Sequence, residues 1–120
     1  MEVSNIVLIE KTTLKPNVGV LWGTKALVWE ASDKYGVDYD FLNYVFNCEC
    51  NFNKPNEECL GDRGLAYGRA QFHKPTFKMY CGGDYYSEQD QIFCATRLFL
   101  EGKGYLWSCA KKFQTLADKI

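Results

Sequence analysis

The sequence predicts a mostly α, small single-domain fold stapled by disulfides. At 120 residues the chain has the size of one domain, long enough to bury a proper core. Hydrophobic residues make up 47% and aromatics 16%, a composition that folds and does not stay disordered. Apolar residues after position 23 recur mainly at helical spacing, and six cysteines in so short a chain suggest a disulfide framework formed in an oxidising compartment.

Taken in order, residues 1–22 read as an irregular or partly extended arm. "NIVLIE" (Asn5–Glu10) has strand character, but "KTTLKPN" breaks it. Residues 23–120 form the domain. A first helix is expected from Thr24 as N-cap, with Leu27, Val28, Ala31 and Tyr35 on one face and Gly36 as its stop. The second has Asp38 as cap, Asp40 in its first turn, and a stripe of Phe41, Leu42, Val45 and Phe46. A Gly-, Pro- and charge-rich loop follows Asn53. Pro75 suits the first turn of a short helix that Gly82-Gly83 would end. Ser87 and Asp90 stand at capping-box spacing ahead of Ile92, Ala95 and Phe99, and Gly102 ends that helix. A last helix from about Ser108 carries Cys109, Phe113, Leu116 and Ile120 in register.

Fourteen basic residues face 15 acidic ones, a formal net charge of −1, so no basic field exists to gather nucleic acid. No run approaches the ~20 apolar residues of a membrane span. The opening "MEVSNIVLIEKTTLKPN" lacks the charged and apolar regions of a secretory leader. Work outside the cytoplasm would then require a leader already removed, or another route of export.

Glu49 is the residue with the sharpest chemical implication. One more turn of the second helix's apolar stripe falls on it, between Cys48 and Cys50. A carboxyl beside apolar surface has its charged form disfavoured, the condition a general acid needs near neutral pH. The plainer alternative is a helix-end carboxylate paired with Arg63 or Arg69, and composition alone favours that alternative.

"CECNFN", "AYGRAQF", "PTF", "EQDQI" and "GKGYLWSC" follow one another in an order and rough spacing that resembles the lysozyme-like transglycosylases. The likeness is greatest to the catalytic domains of resuscitation-promoting factors, with soluble lytic transglycosylases and goose-type lysozymes as broader relatives. It covers about residues 24–113 and implies a lysozyme-like fold. Glu49 resembles the family's catalytic acid, and Gln71, like the glutamine of its Gly-Leu-Gln-Phe turn, and Thr76, like the threonine of its Thr-Trp pair, are implied to line the sugar cleft. Phe77 stands where the family usually has Trp, and Tyr67 where it has the Tyr before Gly. Two departures are visible: Cys50 replaces the serine after the acid, and the Ala-Tyr-Asn motif of many lytic transglycosylases has no counterpart. The resemblance also implies a Cys48–Cys109 bridge. Cys50–Cys59 and Cys81–Cys94 are then the expected partners among connectivities that sequence leaves open.

Cleavage of a β-1,4 glycosidic bond needs a proton delivered to the leaving oxygen and stabilisation of an oxocarbenium-like centre. Glu49 would supply the proton. Asp62 is the best candidate for a second carboxylate, although a Gly-Asp-Arg-Gly run more often makes a solvated turn. A lytic transglycosylase needs no second acid, because its glutamate serves as acid and then as base on the sugar's 6-hydroxyl. Tyr67, Phe72, Phe77, Tyr85, Tyr86 and Tyr105 could stack on sugars, with about half expected in the core beside Trp107. His73 reads as surface polarity. Cys48, Cys50, Cys59 and His73 could ligate a metal, but their spacing fits no common zinc pattern.

The expectation is therefore a peptidoglycan-cleaving glycosidase cutting between N-acetylmuramic acid and N-acetylglucosamine, without cofactor or metal. It would be monomeric and extracytoplasmic, with glycan strands as its partner. The alternative is an inactive module of the same fold that binds glycan or a protein.

Overall fold

In the computed structural model the described residues are 23–118, with side chains through residue 113. The arm expected over 1–22, and the side chains of Leu116 and Ile120, lie outside them. Five α-helices and a small sheet build the described domain. Helix α1 covers Gly23–Tyr35. Thr24 thus lies inside the first turn and is not the cap; its hydroxyl donates to Glu88 Oε2 at 2.6 Å instead. Gly36 does end the helix, at φ 70°, with its N–H returned to the Ser32 carbonyl at 2.8 Å.

Helix α2, Tyr39–Glu49, starts at Asp38, whose side chain accepts from the Phe41 N–H at 2.9 Å. Phe41, Leu42, Val45 and Phe46 are at most 1% exposed. Burial of such a side chain contributes roughly 1.5–3 kcal/mol. The stripe therefore fixes the helix's rotation and, with it, the direction of Glu49.

The segment expected to be loop holds a three-stranded antiparallel sheet in the order β1-β2-β3. Its strands are β1 Leu60–Gly61, β2 Ala66–Tyr67 and β3 Phe72–His73. Leu60 pairs with Tyr67, and Tyr67 with Phe72. Strands of two residues are too short to show alternation, which is why the pattern of residues did not reveal them. Gly68, at φ 88°, lets the second hairpin pass the Gln91 side chain, whose atoms come within 2.6 Å of where a Cβ would stand.

Helix α3, Lys74–Tyr80, has Pro75 in its first turn. Helix α4, Glu88–Leu100, is capped by Ser87, which accepts from the Asp90 N–H at 3.1 Å. The reciprocal half of the capping box is diverted: Asp90 Oδ2 accepts from the Asp84 N–H at 2.8 Å. Helix α5, Ser108–Asp118, closes the described fold. Helix α1 packs on α4, and α2 packs on both α5 and α1. Phe99 sits at the centre, with ring centroids 5.2 Å from Phe41 and 4.8 Å from Trp107. Trp107 is buried in the core as expected, and its indole N–H donates to the Ala70 carbonyl at 2.8 Å.

Three disulfides join the expected pairs. Cys48–Cys109 ties the end of α2 to the start of α5, Cys50–Cys59 closes the loop after α2, and Cys81–Cys94 ties the end of α3 to α4. Among the described residues no helix is long and apolar enough to cross a membrane.

Candidate active site

Glu49 is the last residue of α2 and is half-buried. It opens on a cleft of about 560 Å³ lined by Asn51, Asn53, Lys54, Leu60, Gly61, Gln71 and the Cys50–Cys59 bridge. Glu49 is the single acid among the described residues that line it. Burial pushes its carboxyl above the ordinary carboxylate range. The backbone N–H of Cys109, in the first turn of α5, and the positive charge of Lys112 oppose that push without overcoming it. The Cys48–Cys109 bridge ties the helix that carries that amide to the end of α2.

The paired-carboxylate alternative does not hold. No salt bridge reaches Glu49 among the described residues. Arg63 lies exposed in the turn after β1. Arg69 is 1% exposed and spends its guanidinium elsewhere. Its Nε donates to Glu88 Oε2 at 2.8 Å, Nη1 to the Cys50 and Asn51 carbonyls at 2.9 and 3.0 Å, and Nη2 to the Lys54 carbonyl at 2.6 Å. A buried cation thus grips the loop that follows the acid. Asn47 of α2 ties down the same loop, its Oδ1 accepting from the Phe52 N–H at 2.9 Å, and within the loop Asn51 Oδ1 accepts from the Asn53 N–H at 2.7 Å.

Gln71 faces Glu49's cleft from the sheet side. Its backbone is left-handed, at φ 53°, and its Nε2 donates to the Cys59 and Gly68 carbonyls at 3.0 and 2.9 Å. That locks the side chain while its Oε1 lies over Gly61, where any Cβ would collide with it.

The other expected contacts lie elsewhere. Asp62 pairs with His73, Oδ2 to Nε2 at 2.8 Å, and does not line the cleft. Tyr67 packs on Tyr85 and Tyr86, at centroid distances of 5.5 and 5.3 Å. Thr76 is half-buried in α3 and away from the lining. Phe77 is 2% exposed against Phe72 and Tyr85, so it offers no ring face to a sugar. Phe72 is equally buried, while Tyr86 and Tyr105 are 56% and 61% exposed. With all six cysteines bridged, the metal reading loses its three thiolates.

The residues that sequence reasoning missed are the polar supports. Arg69 is one. Gln91, fully buried, donates to the Tyr67 and Tyr85 carbonyls at 3.0 and 2.8 Å and accepts from the Ala70 N–H at 3.1 Å. Asn56 accepts from the Arg69 N–H at 2.6 Å. Glycines beside them were the available signal, since a backbone without Cβ at Gly68 invites close packing. In comparisons with protein-family models, with curated proteins and with solved structures, no match to this chain is found.

Proposed function

We propose that the protein is a muralytic glycosidase of lysozyme-like type. It would cleave the β-1,4 bond between N-acetylmuramic acid and N-acetylglucosamine, with Glu49 as general acid. The observation that supports this best is a carboxyl raised by burial, in no salt bridge among the described residues, on the wall of an open cleft. A raised value keeps the proton available nearer neutral pH, and the leaving glycosidic oxygen needs that proton. Asp62, held by His73 away from the lining, supplies no second carboxylate. Glu49 therefore works alone, which suits a transglycosylase in which the sugar's own 6-hydroxyl attacks. Gln71 and the Asn51–Asn53 loop would hold the strand through its hydroxyls and acetamido groups. Three disulfides fit an oxidising, extracytoplasmic setting.

A second reading, a binding module without activity, draws support from Tyr67, Thr76 and Phe77 lying away from the cleft. Soluble-fragment release from purified peptidoglycan, read by mass, separates the two. Release that Glu49→Gln abolishes supports the enzyme, and fragments lighter by one water per muramic end support the transglycosylase. Binding to the polymer with no release from the unaltered protein would refute catalysis and leave the module.

A further inference from the structure

We propose that this cleft selects glycan carrying ionised carboxylates over neutral glycan, and that Lys54 and Lys112 read that charge. The proposal rests on the glycan reading of the cleft and adds the substrate class within it.

Lys54 is the only basic residue among the described residues lining the cleft, and Lys112 lies close enough for its charge to act on Glu49 from the α5 side. Both side chains are exposed, and neither is held in a salt bridge among the described residues. Arg97 and Lys103, by contrast, pair with Glu101, Lys74 contacts the Tyr86 hydroxyl, and Arg69 is spent on Glu88. The backbones that carry the two lysines are anchored. Arg69, itself buried, holds the Lys54 and Asn51 carbonyls, while the Cys48–Cys109 bridge holds the start of α5 against α2. The first-turn amides of α5 add positive potential on the same side. With two lysines at the cleft against Glu49 as its one acid among the described residues, the cleft presents net positive charge to a ligand even when Glu49 is ionised. A neutral polymer of N-acetylglucosamine gains nothing from that field. A strand bearing lactyl or peptide carboxylates gains an ion pair at each lysine.

The test uses the full chain carrying Glu49→Gln, so that binding is measured without turnover. Three probes are titrated: chito-oligosaccharide, peptide-free glycan strands with lactyl carboxylates, and strands with stem peptides. The expected result is tighter binding of a carboxylated probe by about fivefold, the upper range for one exposed ion pair. That advantage should vanish at about 1 M salt, where the Debye length falls to roughly 3 Å. The affinities should also converge in Lys54→Met/Lys112→Met, at an unchanged unfolding midpoint, and stay apart in Lys78→Met. An advantage confined to stem-peptide strands assigns the charge to the peptide; one shared by both assigns it to the lactyl group. Equal affinities for all three probes, or an advantage that survives the double substitution, would overturn the proposal. Fragment release by the unaltered protein is scored separately, so a failure of the glycosidase reading is distinguishable from a failure of charge selection.

Discussion

Removing the Cys48–Cys109 bridge is the perturbation that joins stability to the site. The bridge spans 61 residues of sequence, against 9 for Cys50–Cys59 and 13 for Cys81–Cys94. In the chain-entropy model these closures stabilise by about 4.3, 2.6 and 2.9 kcal/mol. Cys48 is exposed and Cys109 is buried, so Cys48→Ser with Cys109→Ala avoids placing a lone hydroxyl in the core. Urea denaturation of this double variant should show a loss of about 4 kcal/mol, the largest of the three bridges. The same variant frees the start of α5, and with it the Cys109 N–H that lowers the Glu49 carboxyl. Carbon-detected titration of Glu49 should therefore show an upward shift in that variant and none when Cys81–Cys94 is removed. A loss under about 1 kcal/mol, or an ordering that puts Cys50–Cys59 first, would refute the loop-closure argument. An unmoved Glu49 would refute the link from bridge to acid.

Three further outcomes follow from named contacts. Because burial raises the Glu49 carboxyl, the folded chain keeps a proton that the unfolded chain has lost, and stability falls as pH climbs from the unfolded value through the folded one. Glu49→Gln is therefore expected to be the more stable protein at neutral pH by denaturation midpoint, with the gap closing below about pH 4. Glu88→Ala leaves the buried Arg69 guanidinium without its carboxylate and should cost about 2–3 kcal/mol, whereas Glu101→Ala at the half-exposed Arg97 pair should cost at most ~0.5 kcal/mol; urea midpoints compare them. Gly68→Ala must push a Cβ into the Gln91 amide from a left-handed backbone and should cost more than about 2 kcal/mol, while Gly64→Ala, left-handed but open, should cost about 1 kcal/mol in the same assay.

What could be read in advance followed one rule: long periodic segments are legible and short polar ones are not. The α2 stripe pointed at Glu49 because four buried residues at helical spacing determine where the next turn faces. The Cys48–Cys109 pairing came through resemblance, and the other two pairs were expected among the cysteines that remained, since spacing alone leaves the pairing open. Thr24 was misplaced as a cap because N-cap preference does not register a tertiary hydrogen bond to Glu88, 64 residues away. The sheet went unseen because its strands are two residues long. Arg69 entered only as a possible partner for Glu49, because nothing local announces that four acceptors will converge on one guanidinium. Phe77 shows the reverse limit. A motif can place an aromatic in line with a cleft residue while packing against Phe72 turns its ring into the core.

Glu49 itself distinguishes two physical roles that the same position permits. It stands at the carboxyl end of α2 and faces the amino end of α5, so a simple role as cap for α5 is available. A carboxylate serving chiefly as a cap gains hydrogen bonds and favourable potential in its charged form, and its affinity for protons drops below the ordinary value. Here the balance goes the other way: desolvation outweighs the Cys109 amide and the Lys112 charge together. The folded chain thus holds, beside an open cleft, a group that would ionise more readily unfolded. That arrangement costs stability, and a polar neutral side chain such as Gln could accept the same amide without the cost. The capping role alone gives no reason for a titratable group at this position, whereas proton delivery to a ligand in the cleft gives one. The denaturation comparison of Glu49→Gln at neutral pH therefore measures that cost directly: a gain in stability on substitution supports the acid, and a loss would return Glu49 to the role of a cap.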